Sequence, residues 1–129
     1  LKDGNEVNYW FMKEGDFVIS IVSFYIQTPY EEIIETLEDC ILWSISYQRL
    51  HQLYLQYPEF NRVGRLLTER YYVLSEQRTQ NLRKKTADER YRHLVTSFPD
   101  ISNRVPLKFI ASYLGISFET LSRLRAKKW

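Results

Sequence analysis

The chain has 129 residues, 44% of them hydrophobic and 16% aromatic, with a formal net charge of +2 at neutral pH. This composition excludes a disordered chain, and no apolar run approaches the length that spans a bilayer, so no membrane partner is expected. The single cysteine excludes an internal disulfide and a metal site built from cysteines alone, and it favours a reducing, cytoplasmic setting.

The small net charge conceals two oppositely charged halves. Residues 1–60 hold three Lys and Arg against ten Asp and Glu, a net charge of −7. Residues 61–129 hold fifteen against six, a net charge of +9. A strongly basic half is the electrostatic signature of a region that binds nucleic acid.

The first third of the chain predicts strands. Apolar and polar residues alternate from Val7 to Phe11, which is the period of a half-buried strand. Turn residues separate four predicted strands, at 7–11, 17–24, 30–36 and 40–45. Short strands joined by turns favour a barrel or jelly roll, with part of the sheet missing from this chain. Cys40 begins the last strand and is expected to be a buried, inert thiol.

Helices are predicted for the rest of the chain. Ser46 is a suitable N-cap for a helix at 47–56, and Pro58 precedes the longest predicted helix, at 59–84. Thr86 and Glu89 have the spacing of a capping box, which predicts a new helix at 86–97. Residues 100–105 are expected to form a linker.

The long helix carries an apolar stripe with the three–four spacing of a coiled-coil seam, and a second stripe, Leu66 and Val73, lies beside it. This pattern predicts a parallel homodimer. The predicted dimer contacts are Val63, Leu67, Tyr71 and Leu74.

The stretch 105–128 has the pattern of a helix-turn-helix. The small residue Ala111 lies four positions before Gly115, where a left-handed helix cap is favoured, and Ser117 can cap the next helix. That second helix would bury Leu121 and Leu124. An ordinary helical hairpin has similar spacing, but the basic surroundings favour a helix-turn-helix that binds duplex DNA.

The second helix would then read bases. Glu119, Ser122 and Arg123 share one exposed face, where Glu can accept from cytosine and Arg can donate twice to guanine. The alternative for Glu119 is a structural role, because a carboxylate near a helix N-terminus is favoured by the helix dipole. The other predicted DNA contacts are Ser117, Phe118, Lys108, Arg125, Lys127 and Lys128, of which Arg125, Lys127 and Lys128 are expected to meet phosphates.

The segments GNEVNYWFMKEGDFV, LEDCILWSISYQRLHQLYLQYPEF and PLKFIASYLGISFETLSRLRAKK, in this order, resemble the CRP/FNR family of bacterial transcription regulators. The S-x-E-T-x-S-R run at 117–123 is closest to the family's recognition helix. The resemblance implies an α+β chain: the C-terminal part of a jelly-roll, cyclic-nucleotide-binding-like barrel with a short helix (1–57), a dimerisation helix (58–85) and a helix-turn-helix domain (86–129). It also implies a homodimer, double-stranded DNA as ligand and RNA polymerase as a partner.

One departure bears on the effector. Family members that bind cyclic AMP carry Gly-Glu and then Arg-Ser or Arg-Thr, whereas this chain has Ile19-Ser20 and Tyr30-Glu31 at those places. A carboxylate in place of the arginine would repel the cyclic phosphate. We therefore expect a degenerate pocket that binds no cyclic AMP; no cofactor is expected, and the sequence identifies no other effector.

Two other classes of function remain open. The helix-turn-helix could serve as a surface for protein–protein contact, and Phe118 is the exposed aromatic residue that favours this alternative. An enzyme is not expected, because the sequence shows no phosphate-binding glycine loop and no Ser/His/Asp set. The two histidines, His51 and His93, lie on different predicted helices and are expected to be structural, without a metal.

Overall fold

A computed structural model describes residues 7–127 of the protein. Over that range the chain folds into helices joined by turns and irregular segments, without a β-strand. The seven helices are α1 (Ile21–Ile26), α2 (Tyr47–Gln56), α3 (Pro58–Lys84), α4 (Ala87–Ser97), α5 (Ile101–Arg104), α6 (Leu107–Leu114) and α7 (Phe118–Ala126).

The predicted α+β fold with a jelly-roll barrel is therefore wrong. The second predicted strand, 17–24, overlaps the start of α1 instead, and the other three predicted strands are irregular. Alternating apolar residues mark a chain with one apolar face, but a strand also needs a neighbouring strand to pair its backbone N–H and C=O groups. The described residues supply no such neighbour, so apolar side chains of the last predicted strand are exposed: Trp43 is 96% and Ile41 90% accessible. Cys40, expected to be buried, is exposed as well.

The helical predictions from local signals are confirmed. Ser46 caps α2 through its side chain, which accepts from the N–H of Arg49. Thr86 and Glu89 form the capping box at the start of α4, each side chain accepting from the other's backbone N–H. The linker expected at 100–105 contains one short helix, α5, whose Ile101 is buried.

The chain divides into two compact units, one made of residues 19–79 and the other of residues 7–18 together with 80–127. We call the second the C-terminal unit. It contains every buried side chain of the described residues, and all of them are hydrophobic: Tyr91, Leu94, Ile101, Ile110, Ala111, Leu114, Leu121 and Leu124. These side chains come from α4, α5, α6 and α7, so the two helices of the helix-turn-helix share one hydrophobic core with α4 and α5.

In the unit at 19–79, half-buried aromatic side chains contact one another along α2, and one of them reaches α3. On α2 the ring of Tyr47 lies 3.9 Å from that of His51, which lies 5.7 Å from that of Tyr54. Tyr54 reaches α3 at Gly64, where an added Cβ would lie 2.5 Å from the Tyr54 hydroxyl. Burial raises the pKa of that hydroxyl. Glycine at position 64 therefore permits the close approach of α2 and α3.

The described helices include none that is both long and apolar enough to cross a bilayer.

Candidate nucleic-acid interface

The turn between α6 and α7 has the backbone that the sequence predicts. Gly115 adopts a left-handed conformation with φ of +64°. Its N–H donates to the carbonyl oxygen of Ser112, and the N–H of Ile116 donates to the carbonyl oxygen of Ala111. This is the hydrogen-bond pattern of a Schellman motif. These bonds pair carbonyl groups that the end of α6 would leave open, and they redirect the chain into α7.

Helix α7 is fixed at its start and along its inner face. The Ser117 hydroxyl accepts from the N–H of Thr120 at 3.2 Å, which caps the helix as predicted. On the inner face Leu121 is 1% and Leu124 6% accessible, and both belong to the hydrophobic core. The remaining side chains of α7 consequently point away from the core.

The exposed arc of α7 has two edges. At 100° per residue, Glu119 and Arg123 lie near one edge, while Phe118 and Arg125 lie near the other, with Ser122 between them. All five side chains are exposed. Sequence and structure thus agree that Glu119, Ser122 and Arg123 are accessible together on one face of an α-helix, an element that a DNA major groove is wide enough to admit.

Hydrogen bonds and charge act on the side chains of the first edge. A hydrogen bond from its own backbone N–H lowers the pKa of Glu119, helped by the Ser117 hydroxyl and by the charge of Arg123. The side chain is therefore an ionised acceptor at neutral pH. Arg123 donates to the hydroxyl of Thr120 at 3.3 Å, and that hydroxyl also accepts from Ser117. Thr120 is a supporting residue that the sequence reasoning missed; its signal is a hydroxyl three positions before the arginine.

The lysines predicted to contact DNA occupy different surroundings. Lys108 is exposed on α6, with its Nζ atom 4.7 Å from the centre of the Phe109 ring. Lys127 is exposed, but its Nζ lies 3.5 Å from Oδ1 of Asp88, so part of its charge is balanced within the protein. Lys128 lies outside the described residues.

A second missed feature is the N-terminal segment 7–18, which packs on the helix-turn-helix. The N–H of Asn8 donates to the Ser112 hydroxyl at 3.0 Å, and the Phe11 ring lies 4.9 Å from that of Tyr113. Two further contacts follow: Lys13 lies over the Phe98 ring, and Arg104 forms an ion pair with Glu14 at 2.7 Å. The hydrogen bond from Arg104 lowers the pKa of Glu14. The segment covers the outer side of α6, and no local sequence signal predicts so distant a contact.

The predicted dimer stripe on α3 is only partly exposed. Val63 is 51% accessible, whereas Leu67, Tyr71 and Leu74 are half-buried within the chain. The neighbouring stripe is more open, with Leu66 and Val73 both exposed.

The described residues contain no group of three or more His, Cys, Asp and Glu side chains that could hold a metal ion. Comparison of the chain with protein-family models, with curated proteins and with solved structures finds no match. The resemblance to CRP/FNR regulators accordingly stays a prediction, carried by the residues quoted above.

Proposed function

We propose that the protein binds duplex DNA in a sequence-specific manner, with α7 as the recognition helix. One observation carries the proposal. Helix α7 buries Leu121 and Leu124 in the core and leaves Glu119, Ser122 and Arg123 exposed on one face. An ionised acceptor and a two-point donor on one helical face match the edges of cytosine and guanine in the major groove.

The charge distribution supports this function. The described residues of the C-terminal unit hold eleven Lys and Arg side chains against six Asp and Glu, a net formal charge of +5. Several of the acidic groups are engaged inside the unit: Glu89 in a helix cap, Asp88 with Arg92, and Glu14 with Arg104. Basic groups such as Lys108 and Arg125 stay exposed for a polyanion.

A homodimer would complete the interface. Val63, Leu66 and Val73 leave an exposed apolar stripe on α3, through which a long helix can pair with a second copy. Two recognition helices about 34 Å apart would contact two half-sites one helical turn apart. A role in transcription, with RNA polymerase as a further partner, is supported by the resemblance to CRP/FNR regulators.

Protein–protein contact through the same surface is the second candidate. It is favoured by Phe118, which is 51% accessible at the first turn of α7. Exposed aromatic side chains are enriched in protein interfaces, although a phenylalanine can also contact a thymine methyl group.

A salt titration against a duplex tests the proposal. The slope of log K against log salt is about −0.9 for each phosphate neutralised, so binding by several cations should weaken by orders of magnitude from low to moderate salt. Arg125→Gln should reduce the slope by about one. Arg65→Gln is the matched control: this exposed arginine pairs with Glu69 in the other unit and should leave the slope unchanged. Absence of binding at low salt, or binding that is independent of salt, would refute DNA as the ligand.

A further inference from the structure

Arg90 joins the ends of two helices within the C-terminal unit. This half-buried side chain projects from α4, where its Nε donates to the carbonyl oxygen of Leu114 at 2.9 Å. Its Nη1 donates to the carbonyl oxygen of Lys85 at 2.7 Å. Leu114 is the last residue of α6, and Lys85 directly follows the end of α3.

Both acceptors are carbonyl groups that a helix end leaves without an intrahelical partner. A cation is also favoured at each of these C-termini by the helix dipole. Only the planar fork of an arginine presents two donors with fixed geometry to two separate carbonyls, whereas a lysine presents one point charge. The two bonds therefore demand arginine specifically.

A second contact joins the same two places. A Cβ added to Gly115 would lie 3.7 Å from Cδ2 of Leu82, so the last turn of α3 lies against the turn between α6 and α7. Arg90 thus bonds the helix-turn-helix to the end of α3, and the Leu82 side chain lies beside the turn at Gly115.

We propose that Arg90 is a positioning residue that fixes the direction of the recognition helix relative to the end of α3. The inference rests on the proposed function, in which α3 pairs with a second copy and each α7 reads one half-site. The separation between the two half-sites then depends on how firmly each helix-turn-helix is held at the end of α3. Base preference within a half-site depends on the side chains of α7 and is independent of Arg90.

Selection from random duplex DNA separates these two properties. The full chain should enrich an inverted repeat with one preferred spacing between half-sites. Arg90→Lys should enrich the same half-site with several spacings, with the ratio of affinities between best and next-best spacing reduced several-fold. Arg92→Lys is the matched control, because Arg92 lies on the same helix, is exposed and makes an ion pair with Asp88. It should retain the wild-type spacing.

Leu82→Ala provides an independent route, since it weakens the apolar contact without touching Arg90. It should broaden the spacing in the same direction, and circular dichroism establishes that both variants are folded. If folded Arg90→Lys or Leu82→Ala protein keeps the wild-type spacing, the positioning role is wrong while DNA binding stands. If the wild-type chain enriches no DNA sequence, the proposed function fails and the inference fails with it.

Discussion

The two units of the chain differ in how their apolar residues are used. The C-terminal unit buries eight hydrophobic side chains and has a net charge of +5 over its described residues. Residues 19–79, all of which are described, bury none completely and hold five Lys and Arg against eight Asp and Glu, a net charge of −3. Because hydrophobic burial is the main favourable contribution to folding, this contrast predicts where the stability of the chain resides.

The sharpest test of the contrast replaces one apolar side chain in each unit. Leu121→Ala should lower the free energy of unfolding by about 2–5 kcal/mol, because it removes a completely buried side chain. Ile41→Ala, at an exposed position of the other unit, should change it by less than about 0.5 kcal/mol. Urea denaturation followed by circular dichroism measures both. A comparable loss for Ile41→Ala would show that residues 19–79 possess a buried core.

The N-terminal segment offers a smaller test, because it belongs to the C-terminal unit by contact and not by sequence. Phe11→Ala should destabilise this unit by about 1–2 kcal/mol, since the half-buried ring packs on Tyr113. Tyr9→Ala, two residues away, removes an exposed ring and should have little effect. Equal unfolding midpoints for the wild type and Phe11→Ala would show that the segment adds nothing to the unit.

The start of α4 tests how much of the unit's stability is local. Thr86→Ala removes the side chain that accepts from the Glu89 N–H and should cost about 1 kcal/mol. Thr96→Ala, on the exposed face of the same helix, serves as the control and should not destabilise the protein, because alanine has the higher helix propensity. Thermal unfolding of the two variants gives the comparison; an equal change in both would mean that the cap is not what stabilises the helix.

Acid sensitivity should arise at the same cap. Hydrogen bonds from the backbone and side chain of Thr86 lower the pKa of Glu89 below 4.5. A carboxyl group whose pKa is depressed by folding stabilises the native state above its unfolded pKa, and this contribution is lost as the pH falls through the folded pKa. Glu89→Gln should therefore show a shallower fall of the unfolding midpoint below pH 4.5 than the wild type. Identical pH profiles would contradict the role of the ionised carboxylate.

The contrast also explains which structural predictions succeeded. A helix start is specified by a few neighbouring residues, so Ser46, Thr86 with Glu89, and Ser117 were sufficient to locate three helices. The left-handed turn at Gly115 was predictable for the same reason. A strand has no comparable local determinant, because its hydrogen bonds depend on a partner elsewhere in the chain. The alternation from Val7 to Phe11 therefore predicted the wrong element: Phe11 packs on Tyr113 of α6, Asn8 bonds to Ser112, and Tyr9 is exposed.

In the candidate site, too, the features set by neighbouring residues were predictable and the contacts between distant residues were not. The exposure of Glu119, Ser122 and Arg123 was predictable, because helical periodicity and two buried leucines determine the orientation of α7. Interactions between distant residues were not predictable: nothing in the local sequence indicates that Arg90 bonds to Leu114. The net charge of a region also counts every basic residue equally, although the guanidinium of Arg90 donates to backbone carbonyl groups within the protein.

Base discrimination by Arg123 is the most direct measure of the central claim that α7 reads sequence. Arg123→Ala and the control Arg125→Ala should be titrated against a selected duplex, its single-base variants and random DNA at one salt concentration. Arg123→Ala should lose roughly 1–3 kcal/mol on the selected duplex, flatten the preference at one base pair and change random binding far less. Arg125→Ala should weaken all duplexes alike. An equal loss on selected and random DNA for Arg123→Ala would place its guanidinium on the phosphate backbone and contradict the claim.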